Sequence, residues 1–316
     1  MKAWLFTGAH QPLQLIERPT PKPGPRELLV EVRGAGLCHS DVGVLDGTIT
    51  EMLPKKPPLI LGHEVAGVVA EVGPGVTDFT PGDRVVASGD EAFCPGWSAD
   101  GGYATHCILA VSCAVKLPDG VDFIQGAAAT DAGQTSYGAV MGAGGLKPGM
   151  RVGIIGLGGL GMTGARIAVV NGAAEVYAAE PRREAWDTAR AQGVKAVVDS
   201  VDRLAPYELD LIVDFAGFGV TTAGAILAVR PGGLVVQVGL GVSDATISTA
   251  MLVAKAVTLR GSKGGRPGDT EKVLAHMQKG ELKIQASTIG FDEIPEGLDR
   301  LERGGVIGRL VALPNG

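Results

Sequence analysis

The stretch RVGIIGLGGLGMTGARIA, residues 151–168, decides the reading of this chain. Arg151–Ile155 is a short apolar run of strand length, and a helical pattern follows over 158–171. Between them stand Gly156, Gly158 and Gly161 in a GxGxxG spacing, with Gly159 and Leu160 at the mouth of the helix. In such a turn the first glycine permits the tight bend and the second lets the backbone approach a pyrophosphate. The third lets helix and strand pack closely, and the phosphates sit at the positive end of the helix. A chain with 49 glycines produces glycine-rich turns by chance, so context carries the argument. Glu180 ends the next strand, 19 residues after Gly161. An acid there accepts bonds from ribose hydroxyls and repels a 2′-phosphate, which points to NAD. Arg182 and Arg183 follow at once and keep NADP open. The plainer alternative is a sheet with a glycine-rich turn and no ligand.

Outward from this turn the pattern repeats. A helix is expected over 182–192, ending at Gly193, with further strands at 194–198, 211–215, 234–238 and 257–259. Near-continuous apolar strands alternating with helices define an α/β fold, a doubly wound parallel sheet covered on both faces. Residues 1–130 read differently, as β-rich. Runs at 28–32 and 65–72 are separated by the turns PTPKPGP and GPGV, GDRV leads into another strand, and 101–115 holds one or two more. After 264 come a polar helix (270–279), another near 296–303 and a last strand, Arg309–Leu313, expected to return to the first domain. The expected division is 1–132 with 264–316, and 133–263. A length of 316 residues suits two cores better than one.

Bulk composition excludes several classes. The net charge is -6 and no basic tract appears, so nucleic acid is not an expected partner. The longest uncharged stretches, such as 101–115, fall short of the ~20 apolar residues a membrane span needs. MKAWLFTGAH does not read as a secretory signal, and four cysteines make no disulfide framework, so the cytoplasm is the default expectation.

Three further segments carry candidate chemistry. GLCHSD supplies Cys38, GHE supplies His63 and Glu64, and TDAGQTSY supplies Asp131. A catalytic zinc takes three protein ligands from thiolate, imidazole and carboxylate and keeps a fourth position open. None of these residues pairs locally, so spacing alone does not establish a site. Cys38 also reads as a small buried residue, His63 as a hydrogen-bonded core histidine, and Asp131 as a helix N-cap ahead of AGQTSYGAV.

GLCHSDVGVLDG, LGHEVAGVVAEVGPGVTDFTPGDRV, DGGYATH, TDAGQTSYGAV and VGIIGLGGLGMTGARIA follow one another in the order seen in zinc-containing alcohol dehydrogenases. The chain resembles that branch of the medium-chain dehydrogenase/reductase superfamily over nearly its whole length. The resemblance implies a GroES-like β-rich catalytic domain plus a Rossmann domain with a doubly wound parallel sheet, and zinc in the cleft between them. It implies Cys38 and His63 as the first two zinc ligands and Asp131 at the third, where relatives carry Cys or Asp. Thiolate plus carboxylate has the formal charge of two thiolates, and the harder oxygen leaves the ion more Lewis-acidic. Glu64 resembles the acid behind the zinc, and Asp41 the carboxylate that orients the zinc histidine. Ser40 resembles the hydroxyl that takes the substrate proton, while His39 and Arg309 resemble contacts to cofactor phosphates. His10 and His106 match no site. The implied activity is hydride transfer between NAD(H) and a small alcohol, aldehyde or ketone, in a homodimer or homotetramer paired through the edge strand near 257–261.

Two departures stand out. Many relatives carry a four-cysteine lobe on a structural zinc; here that interval is VASGDEAFCPGWSA, with Cys94 alone. Closing a structural site takes four ligands, so one catalytic zinc per chain and no structural zinc is expected. The short segment leaves the pocket mouth wider, or folds Trp97 in to line it. Gly43 stands where a histidine often ends the proton relay, so the proton must leave by another path. The rival readings are a zinc-free quinone or enoyl reductase of the same superfamily and a non-catalytic NAD-binding protein.

Overall fold

The computed structural model describes residues 1–89 and 92–315, in two compact units. One unit comprises Met1–Asp131, Thr270–Gln278 and Ala286–Gly316; the other comprises Ala132–Asp269 and Lys279–Gln285. Residues 264–269 and 279–285 thus pack with the second unit, while the chain past them returns to the first. Among the described residues no helix is long and apolar enough to cross a membrane.

In the first unit a seven-stranded sheet runs in the order Ala286–Gly290, Arg309–Leu313, Glu27–Leu37, Glu64–Val72, Arg84–Ala87, Ala114–Lys116, with His106–Ala110 also on Glu27–Leu37. Pairing is antiparallel except between Ala286–Gly290 and Arg309–Leu313. A smaller sheet joins Gln14–Glu17, Lys2–Phe6 and Leu59–Ile60. The core gathers Phe6, Leu28, Val30, Leu61, Val85, Tyr103 and Leu109. The strand Glu27–Leu37 runs straight into the helix His39–Leu45 and so carries Cys38 to a strand end.

The second unit holds a parallel sheet ordered Ala196–Val198, Glu175–Ala179, Arg151–Ile155, Leu211–Asp214, Leu234–Gln237, Thr258–Gly261. In sequence order this is 3-2-1-4-5-6, the order of dinucleotide-binding doubly wound folds, whose ligands sit beyond the carboxyl ends of the strands. The expected helix over 158–171 is Gly159–Val170. That over 182–192 is a tight turn, Arg183–Ala185, before Trp186–Ala191, because the Trp186 indole donates to the Glu180 carbonyl at 2.8 Å and holds the entry back. Gly193, at φ +99, ends it as expected.

The segment from 123 to 143 is almost entirely helical, whereas the sequence expectations held only the alternative of a helix starting after Asp131. It begins at Phe123–Ala128, where Asp122 caps the Gln125 N–H at 2.7 Å. It continues through a wide turn, Ala129–Gly133, then Gln134–Tyr137 and a second wide turn, Gly138–Ala143. Most of its residues are buried on every side, so Ala, Gly and small polar groups show no 3.6-residue rhythm. Asp131 lies inside this stretch, so the N-cap alternative for it is overturned; the cap is Asp122.

Candidate metal and cofactor sites

Cys38, His63, Glu64 and Asp131 converge in the first unit, each offering one donor atom, all within 4.8 Å of one another. Cys38 Sγ lies 3.3 Å from Asp131 Oδ2, and His63 Nε2 lies 3.8 Å from the same oxygen. Ordinary zinc–sulfur, zinc–nitrogen and zinc–oxygen lengths at a tetrahedral angle put ligand atoms roughly 3.3–3.7 Å apart, so these separations lie within a few tenths of an ångström of what a shared ion requires. The donor set of thiolate, imidazole and carboxylate is also one that zinc accepts.

Each ligand is held by local structure. Asp131 sits in the wide helical turn, a geometry that re-aims a side chain and recurs at functional sites. Asp41, buried, accepts from the Cys38 N–H at 3.1 Å and from the Tyr103 hydroxyl at 2.8 Å. Its other oxygen stands 3.5 Å from His63 Nδ1, which is buried with no hydrogen-bond partner. A contraction of roughly half an ångström would make that contact a hydrogen bond, fixing Nε2 as the donor atom that faces Asp131. Gly62 precedes His63 at φ +92, and a β-carbon there would lie 2.5 Å from the Tyr103 ring. Gly36 pairs with Glu64 across the sheet, and a β-carbon at 36 would lie 2.2 Å from Glu64 Oε2, so glycine is what admits that carboxylate.

The electrostatics favour a cation. Burial alone would lower the His63 pKa, yet Asp41, Asp131 and Cys38 together push it well above the usual value. Burial pushes Glu64 up to about 7, against the pull of the Arg309 guanidinium. Arg309 is itself buried, and its side chain donates to both Glu64 oxygens, the Nε–Oε2 contact measuring 2.9 Å, and to Asp131 Oδ2. The side chain expected on a cofactor phosphate is therefore turned onto the Glu64 and Asp131 carboxylates of the candidate donor cluster. His39 is exposed and Ser40 half-buried at the start of the same helix. Trp97 presents an edge-on ring 6.1 Å from the His63 ring. Residues 90 and 91 of the short segment before it lie outside the described residues.

Sequence reading missed Tyr103, which supports Asp41. Its only signal was a large side chain inside the glycine-rich run DGGYATH, and nothing there names its partner.

In the second unit the three glycines have separable reasons. Gly156 has φ +82. A β-carbon at Gly161 would lie 1.7 Å from the Gly156 carbonyl oxygen, so strand and helix close only on glycine. A β-carbon at Gly158 would meet nothing within 4 Å, and the residue is the N-cap of Gly159–Val170. That open position at a helix N-terminus suits a phosphate. The Leu160 carbonyl accepts from the Ser136 hydroxyl at 2.8 Å. Glu180 is buried, and its Oε2 accepts from the Leu157 N–H at 2.7 Å. Burial would raise its pKa; the bonds from Arg182 and the Leu157 backbone hold it below the usual carboxylate range.

An open parallel sheet with a glycine-rich turn in one unit, and a zinc-type donor set gathered in the other, β-rich unit, define a two-unit dehydrogenase architecture. Residues 24–119 match the family model described as alcohol dehydrogenase GroES-like domain, and residues 159–279 match zinc-binding dehydrogenase. An alcohol dehydrogenase of Geobacillus stearothermophilus is 33% identical over 339 residues, covering 98% of this chain and 99% of its own. An NAD-dependent alcohol dehydrogenase of Sulfurisphaera tokodaii is 28% identical, covering 99% and 100%. The structure of acetophenone reductase from Geotrichum candidum in complex with NAD superposes with a TM-score of 0.90 at 30% identity, covering 99% and 97%. The chain belongs to the zinc-type alcohol dehydrogenases of the medium-chain dehydrogenase/reductase superfamily.

Proposed function

We propose that this chain is an NAD-dependent alcohol dehydrogenase that interconverts a small alcohol with its aldehyde or ketone, with one zinc ion per chain held by Cys38, His63 and Asp131. The carrying observation is the convergence of those donors with Glu64 inside 4.8 Å. The names of the relatives above support the cofactor and the substrate class. Bound there, zinc supplies a Lewis acid that polarises an alcohol or carbonyl oxygen.

The chain's own groups do the rest. Asp41 orients the His63 ring, with Tyr103 fixing Asp41 in turn. Glu64 stands next to the ligand set as a carboxylate able to exchange places with a ligand, and Arg309 keeps it from being an isolated buried charge. Ser40 receives the substrate proton; with Gly43 in the relay position the proton would leave through the nicotinamide ribose hydroxyl and then water. The turn Gly156–Gly161 receives the pyrophosphate, Gly159 and Leu160 presenting backbone N–H groups at the helix start. Glu180 sits at the adenosine ribose, with His39 at a phosphate. The Arg309 phosphate role is kept only for its outer N–H groups, since Nε and Nη2 already serve Glu64 and Asp131.

A single zinc is supported by the segment 86–99, whose lone Cys94 cannot supply a four-ligand structural site. A homodimer or homotetramer is supported by the terminal strand Thr258–Gly261, exposed along its length, with Leu259 38% exposed. The cytoplasm is supported by four thiols that stay out of disulfides.

Replacing Cys38 with Ser tests the reading through metal quantitation and turnover together. Loss of the zinc and of nearly all dehydrogenase activity is expected. Undiminished turnover in a zinc-free variant would put the chain with the zinc-free reductases, and wild-type zinc without turnover on any alcohol would leave a binding protein.

A further inference from the structure

The acid at the ribose end of the cofactor site is not free to act as an acid usually does there. Glu180 Oε1 accepts from the Arg182 backbone N–H at 3.0 Å and from Arg182 Nε at 2.9 Å. Its Oε2 accepts from the Leu157 N–H at 2.7 Å and from Arg182 Nη2 at 3.2 Å. A carboxylate offers about four lone-pair positions, and these four bonds fill them. The carboxylate is also 3% exposed, whereas the Arg182 side chain is 33% exposed. Of this pair, the group nearer solvent is therefore the Arg182 guanidinium.

The rest of the neighbourhood does not restore the negative field. Arg183 is exposed and lies over the Trp186 ring at 5.4 Å. Arg190 also faces that ring, at 5.7 Å, and pairs with Asp187 at 2.8 Å. Glu184, exposed, is the remaining acid of residues 181–190, and Asp199, which follows the Val198 carbonyl that accepts from the Glu180 N–H at 2.9 Å, is paired with Arg203 at 3.2 Å. Discrimination against a 2′-phosphate rests on an unpaired acid at the ribose, and here that acid is matched by a cation two residues on. A guanidinium bonded through Nε and one Nη2 hydrogen keeps three N–H donors, in the fork geometry that recognises phosphate.

We propose that Glu180 and Arg182 form a charge-neutral unit that opens the adenosine end of the site to a 2′-phosphate, so that this chain binds NADP as well as NAD. The proposal rests on the cofactor reading above and corrects its selectivity. Glu180 serves chiefly to brace the glycine turn through Leu157, and Arg182 meets whatever the ribose carries.

Calorimetric titration of 5′-AMP and 2′,5′-ADP into the wild-type chain and into Arg182→Ala reads the ribose end without catalysis. The two fragments are expected to bind the wild type within tenfold of each other. Arg182→Ala bares Glu180, and is expected to weaken 2′,5′-ADP relative to 5′-AMP by tenfold or more. Arg182→Lys, which restores the charge without the fork, should recover part of that loss, and it carries the test if the alanine variant does not fold. Glu180→Gln, which keeps an acceptor for Leu157, should favour 2′,5′-ADP. A wild-type preference for 5′-AMP beyond tenfold overturns the proposal, as does a fragment ratio unmoved by either Arg182 variant. If NAD binds while NADP does not, only this inference falls; if neither dinucleotide nor either fragment binds, the cofactor reading falls with it.

Discussion

Replacing Gly158 and Gly161 separately with Ala should split two roles that one motif conceals. At Gly161 the added carbon would lie 1.7 Å from the Gly156 carbonyl oxygen, a backbone atom with no rotamer to escape into. The turn must open, which places the cost at the upper end of the ~1–3 kcal/mol typical of overpacking. At Gly158 the added carbon meets nothing, and φ -73 with ψ -165 suits any residue. Ala there restricts the unfolded chain and should leave the metal-loaded, cofactor-free protein unchanged or about 0.4–1 kcal/mol more stable. The open space is the argument: if a pyrophosphate occupies it, the methyl group displaces the ligand rather than the protein. NAD affinity should then fall by about tenfold or more, equivalent to ~1.4 kcal/mol. Scanning calorimetry without cofactor gives the stability arm and titration with NAD the binding arm. A Gly158→Ala variant that is destabilised yet binds NAD normally would reverse the assignment, and the turn would then be a packing device only.

Three other side chains give separate tests. Asp100 holds Arg18 at 2.6 Å and Lys55 at 2.7 Å; burial raises its pKa, but these partners outweigh it and the net shift is downward. Its contribution to stability is present above the unfolded value of ~3.9 and is lost as pH falls through the lower folded value; Asp100→Asn should flatten the acid limb of a melting-temperature-against-pH curve, and an unchanged limb refutes the linkage. Tyr103→Phe removes the hydroxyl that donates to buried Asp41 at 2.8 Å, at a cost of ~1–3 kcal/mol in stability, with weaker zinc retention under a chelator. Equal zinc loss rates in variant and wild type would show that Asp41 needs no such support. Leu259→Lys on the exposed terminal strand should break up the proposed homo-oligomer, lowering the mass in light scattering, and an unaltered mass would refute pairing through that strand.

Much of the fold was legible because its signals are local. The run Arg151–Ile155, the glycine spacing and the Gly193 stop each depend on neighbours within a few residues, and strands and helices of the parallel sheet fall close to where periodicity placed them. The helical stretch from 123 to 143 escaped because burial on all faces erases the amphipathic rhythm that announces a helix. For the site, the ligand types could be named, but their meeting could not be read from spacing: Cys38 and Asp131 are 93 residues apart and meet at 3.3 Å. Resemblance, not periodicity, nominated them. The Arg309 partners and the Arg182 clamp on Glu180 were beyond reach for a different reason. Which neighbour a long side chain selects is settled by burial and geometry, and a sequence carries neither.

The charge count around the metal cluster explains why these residues tolerate one another. Asp41, Glu64 and Asp131 bring three carboxylates into a space where Arg309 is the partner guanidinium, and Cys38 adds a thiol. Buried carboxylates in that number need compensating positive charge, because an uncompensated buried ion costs several kcal/mol. Arg309 alone leaves the group short. A dication held by Cys38, His63 and Asp131 would bring the sum of three carboxylates, a bound thiolate and Arg309 from -3 to -1 while leaving His63 neutral, the form in which its Nε2 donates to a metal. Exchanging Asp131 for Cys would keep that sum unchanged. Restoring Cys at 131 should therefore retain zinc, whereas Asp131→Asn, equal in shape but one charge poorer, should lower zinc occupancy under chelator challenge. An Asn variant that holds zinc as firmly as wild type would show that charge balance does not govern the site.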